Sequence, residues 1–382
     1  MQQADHPALG LIVESFHTLS FGDNPAGIAQ VPADKLLFVQ LADAPKLSMD
    51  VLSWSRHFRN FPGQGDLDVT GFVRAVLASG YAGPLSLEVF NDEFRAAPAR
   101  LNARDGLRSL ILVEADAGGG DVLPAAPVLD GVEFLEFAVN EATGQELAAY
   151  LGRLGFRQAG RHRSKAISLY RQGRVNLVLN AEPDGAAAEH FQLHGPSSVC
   201  AVGLRVDDTA RTLNRARGLL CPEWKEPIGA GERRIPGIRA PDGTLLYLVQ
   251  PETGGQVFWE DDSFLSPGED GPVGLDAIDH VVQALPTGQT DNFVLFWRAV
   301  FGLVPQPQLE APDPYGLVRS RALVSPGGKF RLVLNASEGH GTATGRFVSA
   351  FAGAGVHHIA LSTRNIGRTA ARNLLALEWR FP

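Results

Sequence analysis

The chain has 382 residues, 45% of them hydrophobic, and a formal charge of -8 from 42 acidic side chains against 34 Lys and Arg. That apolar content suffices for two or three cored domains, and the acidic balance argues against a duplex nucleic-acid binder and for a small-molecule partner. Cys200 and Cys221 alone make no disulfide scaffold, and MQQADHPALGLIVESF with no later run of about 18 apolar residues reads as neither secreted nor membrane-spanning, so a cytoplasmic protein is expected. In chain order, the apolar runs Leu9 to Val13, Leu36 to Leu41 and Leu85 to Phe90 have the signature of buried parallel strands. Leu67 to Ser79 has helical spacing and stops at Gly80, so the opening segment reads as α/β. Asp116 to Asp130, rich in Gly, Pro and Ala, reads as a linker.

Beyond the linker the chain repeats itself. Val132 to Val139 answers Asp276 to Gln283, Val175 to Pro183 answers Phe330 to Glu338, and Val199 to Leu204 answers Val356 to Leu361. Each copy carries a helical segment, Gly144 to Leu154 or Asn292 to Val300, ending in Gly155-Phe156 or Gly302-Leu303. Strand, helix, strands is a βαβββ unit, and four such units are indicated. The strands that close the first copy between Ala201 and Gln250 have no counterpart in the residues after His358, so the second copy reads as incomplete. The expected domains are 1–115, a linker over 116–130, a first module over 131–252, a linker over 253–275 and a second module over 276–382.

Polar side chains sit at or near the ends of the early strands, where parallel barrels place their chemistry: Glu14, His17, Gln40 and Glu88. Carboxylate and amide oxygens suit a hard divalent cation such as Mg²⁺ or Mn²⁺. The strings VESFHT, FVQLADAP, SRHFRNFPGQGD and GPLSLEVFND resemble the later strands of the bacterial fused 3-dehydroshikimate dehydratases, whose barrels belong to the sugar phosphate isomerase/epimerase-like superfamily. The resemblance implies a metal held by Glu14, Gln40 and Glu88, with His17 as a catalytic group. Arg56, His57 and Arg59, beside the loop Pro62 to Gly65, would take the substrate carboxylate. Glu14 stands where that family usually has Asp, and the first Glu ligand and the basic histidine belong to strands that would precede Met1. The expected fold is therefore the C-terminal half of a TIM (β/α)8 barrel followed by tandem βαβββ modules, in a chain that reads as cut short at both ends. Open sheet edges make a homodimer the expected assembly.

The later strings, LGFRQAGRHRSKAISLYRQGRVNLVLNAEP, IDHVV, RLVLNAS and GVHHIAL, are similar to 4-hydroxyphenylpyruvate dioxygenase, a vicinal oxygen chelate protein. That resemblance implies Fe²⁺ ligands at His280 and His358, with Asn335 lining the pocket. Aligning the repeats sets Glu136 opposite His280 and Ala201 opposite His358, so the first copy lacks the imidazole pair. His357 is expected on the other strand face, and Glu378 comes too early to complete the triad. The leading expectation is a dehydratase that turns 3-dehydroshikimate into protocatechuate and carries an appended dioxygenase-like domain. An Fe(II) oxygenase of an aromatic keto acid, or a non-enzymatic fragment, are the alternatives.

Overall fold

The computed structural model describes residue 6 and residues 8–118, 123–229, 232, 234–252 and 274–374, in two compact units. The first comprises 1–125, 218–220 and 291–300, and the second comprises the remainder. Glu378 and most of the expected 253–275 linker lie outside the described residues.

The first unit is built on three parallel strands, β1 (Leu11–Glu14), β2 (Leu36–Leu41) and β3 (Leu85–Leu87), hydrogen-bonded in that order. Around them lie α1 (Ser15–Ser20), α2 (Val51–His57), α3 (Val69–Ala78), α4 (Asp92–Ala96) and α5 (Ala99–Ala117). The first strand starts at Leu11 instead of Leu9, because pairing begins with Leu11 against Leu36. It runs on to Glu14, whose carboxylate then caps α1. The third strand stops at Leu87, opposite the last residue of β2. On α3 the buried residues Val69, Phe72, Val73 and Val76 follow helical spacing and pack with Val39 and Leu41 of β2 and Val113 of α5. Asp68 caps α3 by accepting from the Gly71 amide at 2.9 Å. The helix α5 runs into the Gly- and Ala-rich stretch as far as Ala117, where Gly118 at φ 87° ends it. Within this unit the buried Arg108 bonds Asp105 at 2.8 Å and the Leu219 carbonyl at 2.9 Å, and Asn60 donates to Asp291 at 2.7 Å.

The second unit contains two sheets. The first has eight strands: β4 (Leu129–Ala138), β5 (Arg157–Arg161), β6 (Ile167–Gln172), β7 (Val175–Asn180), β8 (Ser198–Val206), β9 (Glu223–Trp224), β10 (Gly237–Arg239) and β11 (Leu245–Val249). Their order is β5-β6-β7-β4-β8-β11-β10-β9. Helices α6 (Glu141–Arg153), α7 (Ala186–His194) and α8 (Thr209–Gly218) intervene in sequence, so two βαβββ units are joined through the antiparallel pair β4 and β8. The second sheet has β12 (Ala277–Leu285), β13 (Val304–Pro305), β14 (Leu309–Asp313), β15 (Gly316–Val324), β16 (Arg331–Ala336) and β17 (Gly355–Ser362). Helices α10 (Ala343–Phe351) and α11 (Ile366–Leu374) accompany it, whereas α9 (Thr290–Phe301) follows β12 in sequence and has its residues 291–300 in the first unit. Its order, β13-β15-β16-β12-β17 with β14 beside β15, repeats the first βαβββ unit and begins the second.

The paired glycine turns have a common cause: Gly155 and Gly302 adopt φ 90° and 67° after α6 and α9, a region costly for residues with a Cβ. Among the described residues no helix is long and apolar enough to cross a membrane.

Candidate metal centres

In the first unit the sheet register brings the oxygen donors together. Glu14 lies beside Gln40, Gln40 lies beside Ser86, and Glu88 is two residues beyond Ser86. The ladder extends to it, since the Glu88 amide donates to the Leu41 carbonyl at 3.0 Å. With side chains alternating along a strand, Glu14, Gln40 and Glu88 share one face at the C-terminal ends of the strands.

What sits between the two carboxylates is Arg59, 2% exposed. Its Nη1 is 2.9 Å from Glu88 Oε2 and 3.7 Å from Glu14 Oε1, while Nη2 donates to Ser55 Oγ at 2.6 Å and lies 3.3 Å from His17 Nε2. The guanidinium is also stacked against Phe16 and Phe90, at 4.7 and 5.3 Å from the ring centroids. Glu14 folds its longer side chain back onto its own helix, accepting the amides of Phe16 at 2.9 Å and His17 at 2.7 Å. Burial pushes its carboxyl up, and those two amides and Arg59 pull it down. His17 Nε2 is 3.8 Å from Glu14 Oε2 and its side chain is exposed.

The structure thus sets Glu14 and Glu88 against one nitrogen of Arg59 and His17 against the other, with Gln40 half-buried on the same face as the two carboxylates. Arg56 and His57 are placed differently. Both are exposed, and they line a shallow groove with Ser55, Phe90 and Arg95, His57 pairing with Asp92 at 2.8 Å. Among the described residues no three His, Cys, Asp or Glu side chains converge; the third oxygen donor is an amide. The donor chemistry nonetheless fits a cation, because two acidic side chains already share one in the form of Arg59.

The loop Pro62 to Gly65 has a structural organiser that its sequence does not announce. Asp43, 1% exposed, accepts from the amides of Ala44, Gly63, Gly65 and Leu67 at 2.8 to 3.0 Å. Burial pushes its carboxyl up to about 6 against those four hydrogen bonds. At Gly65 a Cβ would lie 2.4 Å from Asp43 Oδ1 and 2.5 Å from the Ala44 carbonyl oxygen, so the clamp admits only glycine there. The loop is a tight turn held from inside.

In the second sheet His280 on β12 pairs with Ala360, and His358 on the antiparallel β17 pairs with Val282. The two imidazoles therefore share a face on a diagonal, with ring centroids 6.5 Å apart. Asn335 of β16 lies in register with Ala284, so it occupies that face too, and its Oδ1 is buried with no hydrogen-bond partner among the described residues. His280 Nδ1 is 2.7 Å from Asp279 Oδ2. Partial burial, then the nearby His357 and His280, hold His358 below the usual imidazole range, which keeps it in the neutral form that ligates metals. His357 rests on Phe347 at 4.9 Å, although its Nδ1 comes within 3.3 Å of His358 Nδ1. Two imidazoles and an orphaned amide oxygen on one face fit a divalent ion with N and O donors.

The ladders correct the repeat alignment by two residues on the first strand. Phe134 pairs with Gly203 as His280 pairs with Ala360, and Glu136 pairs with Ala201 as Val282 pairs with His358, so the first copy has Phe134 and Ala201 where the second has His280 and His358. The parallel neighbours agree, Asn180 standing beside Ala138 and its counterpart Asn335 beside Ala284. Asn180 donates to Glu136 Oε1 at 2.6 Å.

A family model described as a xylose isomerase-like TIM barrel matches residues 1–112, and one described as hydroxyphenylpyruvate dioxygenase, HPPD, N-terminal, matches residues 125–263. Fold and sequence together define part of a xylose isomerase-like barrel and vicinal oxygen chelate modules in one chain. The chain is 49% identical to a 3-dehydroshikimate dehydratase of Pseudomonas putida over 98% of its own length and 61% of that protein's. It is 30% identical to a 4-hydroxyphenylpyruvate dioxygenase of Pseudomonas aeruginosa, covering 64% of this chain and 69% of that one. A solved xylose isomerase-like TIM barrel/4-hydroxyphenylpyruvate dioxygenase fusion protein superposes with a TM-score of 0.85 at 48% identity, over 98% of this chain and 61% of that one. Over about 64% of its length the chain belongs to the 4-hydroxyphenylpyruvate dioxygenase family, and nearly the whole of it shares the fusion of a xylose isomerase-like barrel with a dioxygenase-like region, as the VESFHT, FVQLADAP and IDHVV strings led us to expect. It spans about 61% of the length of the curated dehydratase that it matches across nearly its whole length.

Proposed function

We propose that the first unit serves a metal-dependent 3-dehydroshikimate dehydratase, forming protocatechuate and water. The observation that carries this reading is the convergence of Glu14 and Glu88 on one buried Arg59 nitrogen, beside His17, at the C-terminal end of a parallel sheet. Glu14, Gln40 and Glu88 would hold Mg²⁺ or Mn²⁺, which when bound polarises a ketone and stabilises the adjacent enolate.

The remaining work falls to the chain's own groups. His17, exposed at the mouth, is placed to move a proton at Nε2, giving it to the departing hydroxyl. Glu14 and Glu88, which now contact Arg59, would be the ligands of the cation, and Arg59 relieved of them would have its planar fork available for the substrate carboxylate. Arg56 and His57 would meet the substrate only at the outer groove. The four-amide clamp on Asp43 keeps the loop after Arg59 fixed.

A second reading applies to the second sheet. His280 and His358 would take two positions on Fe²⁺, with Asn335 Oδ1 facing a bound keto acid, as in an oxygenase. A cytoplasmic setting and a homodimer formed through the β1 or β3 edge complete the proposal.

The test is turnover of 3-dehydroshikimate by the purified chain with added Mg²⁺ or Mn²⁺, followed by protocatechuate absorbance. Glu88→Gln is expected to lower kcat by at least about a hundredfold while leaving the fold intact. Metal-independent turnover, or an unimpaired Glu88→Gln variant, would remove the basis of the proposal.

A further inference from the structure

The first eight-stranded sheet encloses a cavity of about 340 Å³ in the copy that lacks the imidazole pair, a size suited to a small organic ligand. Its walls include Phe134 and Tyr247, whose rings are 5.9 Å apart, and Trp224. On its floor is Glu136, 8% exposed, two residues along the strand from Phe134, which stands where the other copy carries His280. The carboxyl accepts from Asn180 at 2.6 Å and is also bonded by the Cys200 thiol. Both partners are neutral, so among the described residues no cation is bonded to this carboxyl, and burying its charge without one is costly.

The charges around the cavity define that partner. Five described carboxyl side chains line it against Lys165, Arg234 and His162, and the Lys165 ammonium is already held by Glu232 at 2.9 Å. Glu226 adds a second carboxylate close enough to raise the Glu136 carboxyl. Aromatic faces and an unmatched carboxylate together select a positively charged nitrogen on an apolar body.

We propose that this cavity binds a small organic ammonium ion, its nitrogen on Glu136 and its apolar body between Phe134, Trp224 and Tyr247. The site lies within the first module alone and is independent of the dehydration reading. Burial, reinforced by Glu226, pushes Glu136 to about 7, with Asn180 and Lys165 pulling the other way. The groups that face it are Asn180 on β7, Cys200 on β8, Tyr247 on β11, Lys165 between β5 and β6, and Glu226 beyond β9. Burial holds both Cys200 and Tyr247 in their protonated forms, so Glu136 is the group whose charge changes near neutrality.

Isothermal titration of the full chain with phenethylammonium tests the assignment, with 2-phenylethanol as the uncharged probe of the same body. Saturable binding of the ammonium at pH 8 is expected, weaker by about tenfold at pH 6 as Glu136 takes up its proton. The alcohol should bind at least tenfold more weakly. Glu136→Gln keeps an acceptor for Asn180 and should lose both the affinity and its pH dependence. Glu226→Gln, in a connecting segment, should weaken binding severalfold and serves if the first variant folds poorly. Equal binding of alcohol and ammonium, no saturation by the ammonium at millimolar concentration, or unchanged binding by both variants would overturn the proposal.

Discussion

The two copies of the βαβββ module furnish the same sheet face differently. In the first, Glu136 and Asn180 bond on the sheet floor at 2.6 Å, and Phe134 and Ala201 stand where the second has His280 and His358. In the second, Val282 takes the place of Glu136, His280 turns to Asp279 at 2.7 Å, and the buried oxygen of Asn335 has no partner among the described residues. One copy presents a carboxylate on that face and the other two imidazoles, so one scaffold carries two different chemistries.

Removing the imidazoles should give the largest effect. His280→Ala combined with His358→Ala is expected to abolish the binding of Fe²⁺ or Co²⁺ to the second sheet, while Glu136→Ala leaves it unchanged. Titration of Co²⁺ by its visible absorption reads this directly, and persistence of the band in the double variant would break the comparison. Next comes the buried acid. Glu136 has a folded-state value of about 7, raised from 4.5, so its stabilising contribution is complete below the lower value and is lost as pH rises through the higher. Glu136→Gln should then be more stable than the parent at pH 8 by up to about 3 kcal/mol, and equal to it near pH 4. Denaturant melts at the two pH values check the sign; a variant that loses stability at pH 8 contradicts it. The smallest effect separates the asparagines. Asn180→Ala should cost about 1–3 kcal/mol through the lost bond to Glu136, and Asn335→Ala less than about 1 kcal/mol, because its oxygen bonds nothing. Equal losses in thermal melts would mean that Asn335 is as well satisfied as its counterpart.

Much of this was legible in the sequence, for reasons that differ by element. The three early strands announce themselves as short apolar runs, and α3 by its spacing, because both signals come from burial on a local repeat. The repeated strings disclosed the modules since each unit buries the same face. Resemblance named Glu14, Gln40 and Glu88, and the parallel register accounts for their common face. What stayed hidden depends on distant residues. Arg56, His57 and Arg59 sit within four positions of one another, yet the fold buries Arg59 between Glu14 and Glu88 and turns the other two outward. Asp43, in LADAP, looks like any other of the chain's 42 acids until the chain returns twenty residues later to offer it three amides. That His280 corresponds to Phe134 and not to Glu136 shows only in the ladders, because an alternating strand pattern matches itself equally well when slid by two residues.

Crystals of the chain soaked in Mn²⁺ and measured for anomalous scattering address the barrel site at its root. An ion within coordination distance of Glu14, Gln40 and Glu88, with Arg59 drawn away from both carboxylates, is the result expected. Arg59 still bridging Glu14 and Glu88, with manganese bound elsewhere or nowhere, would contradict it.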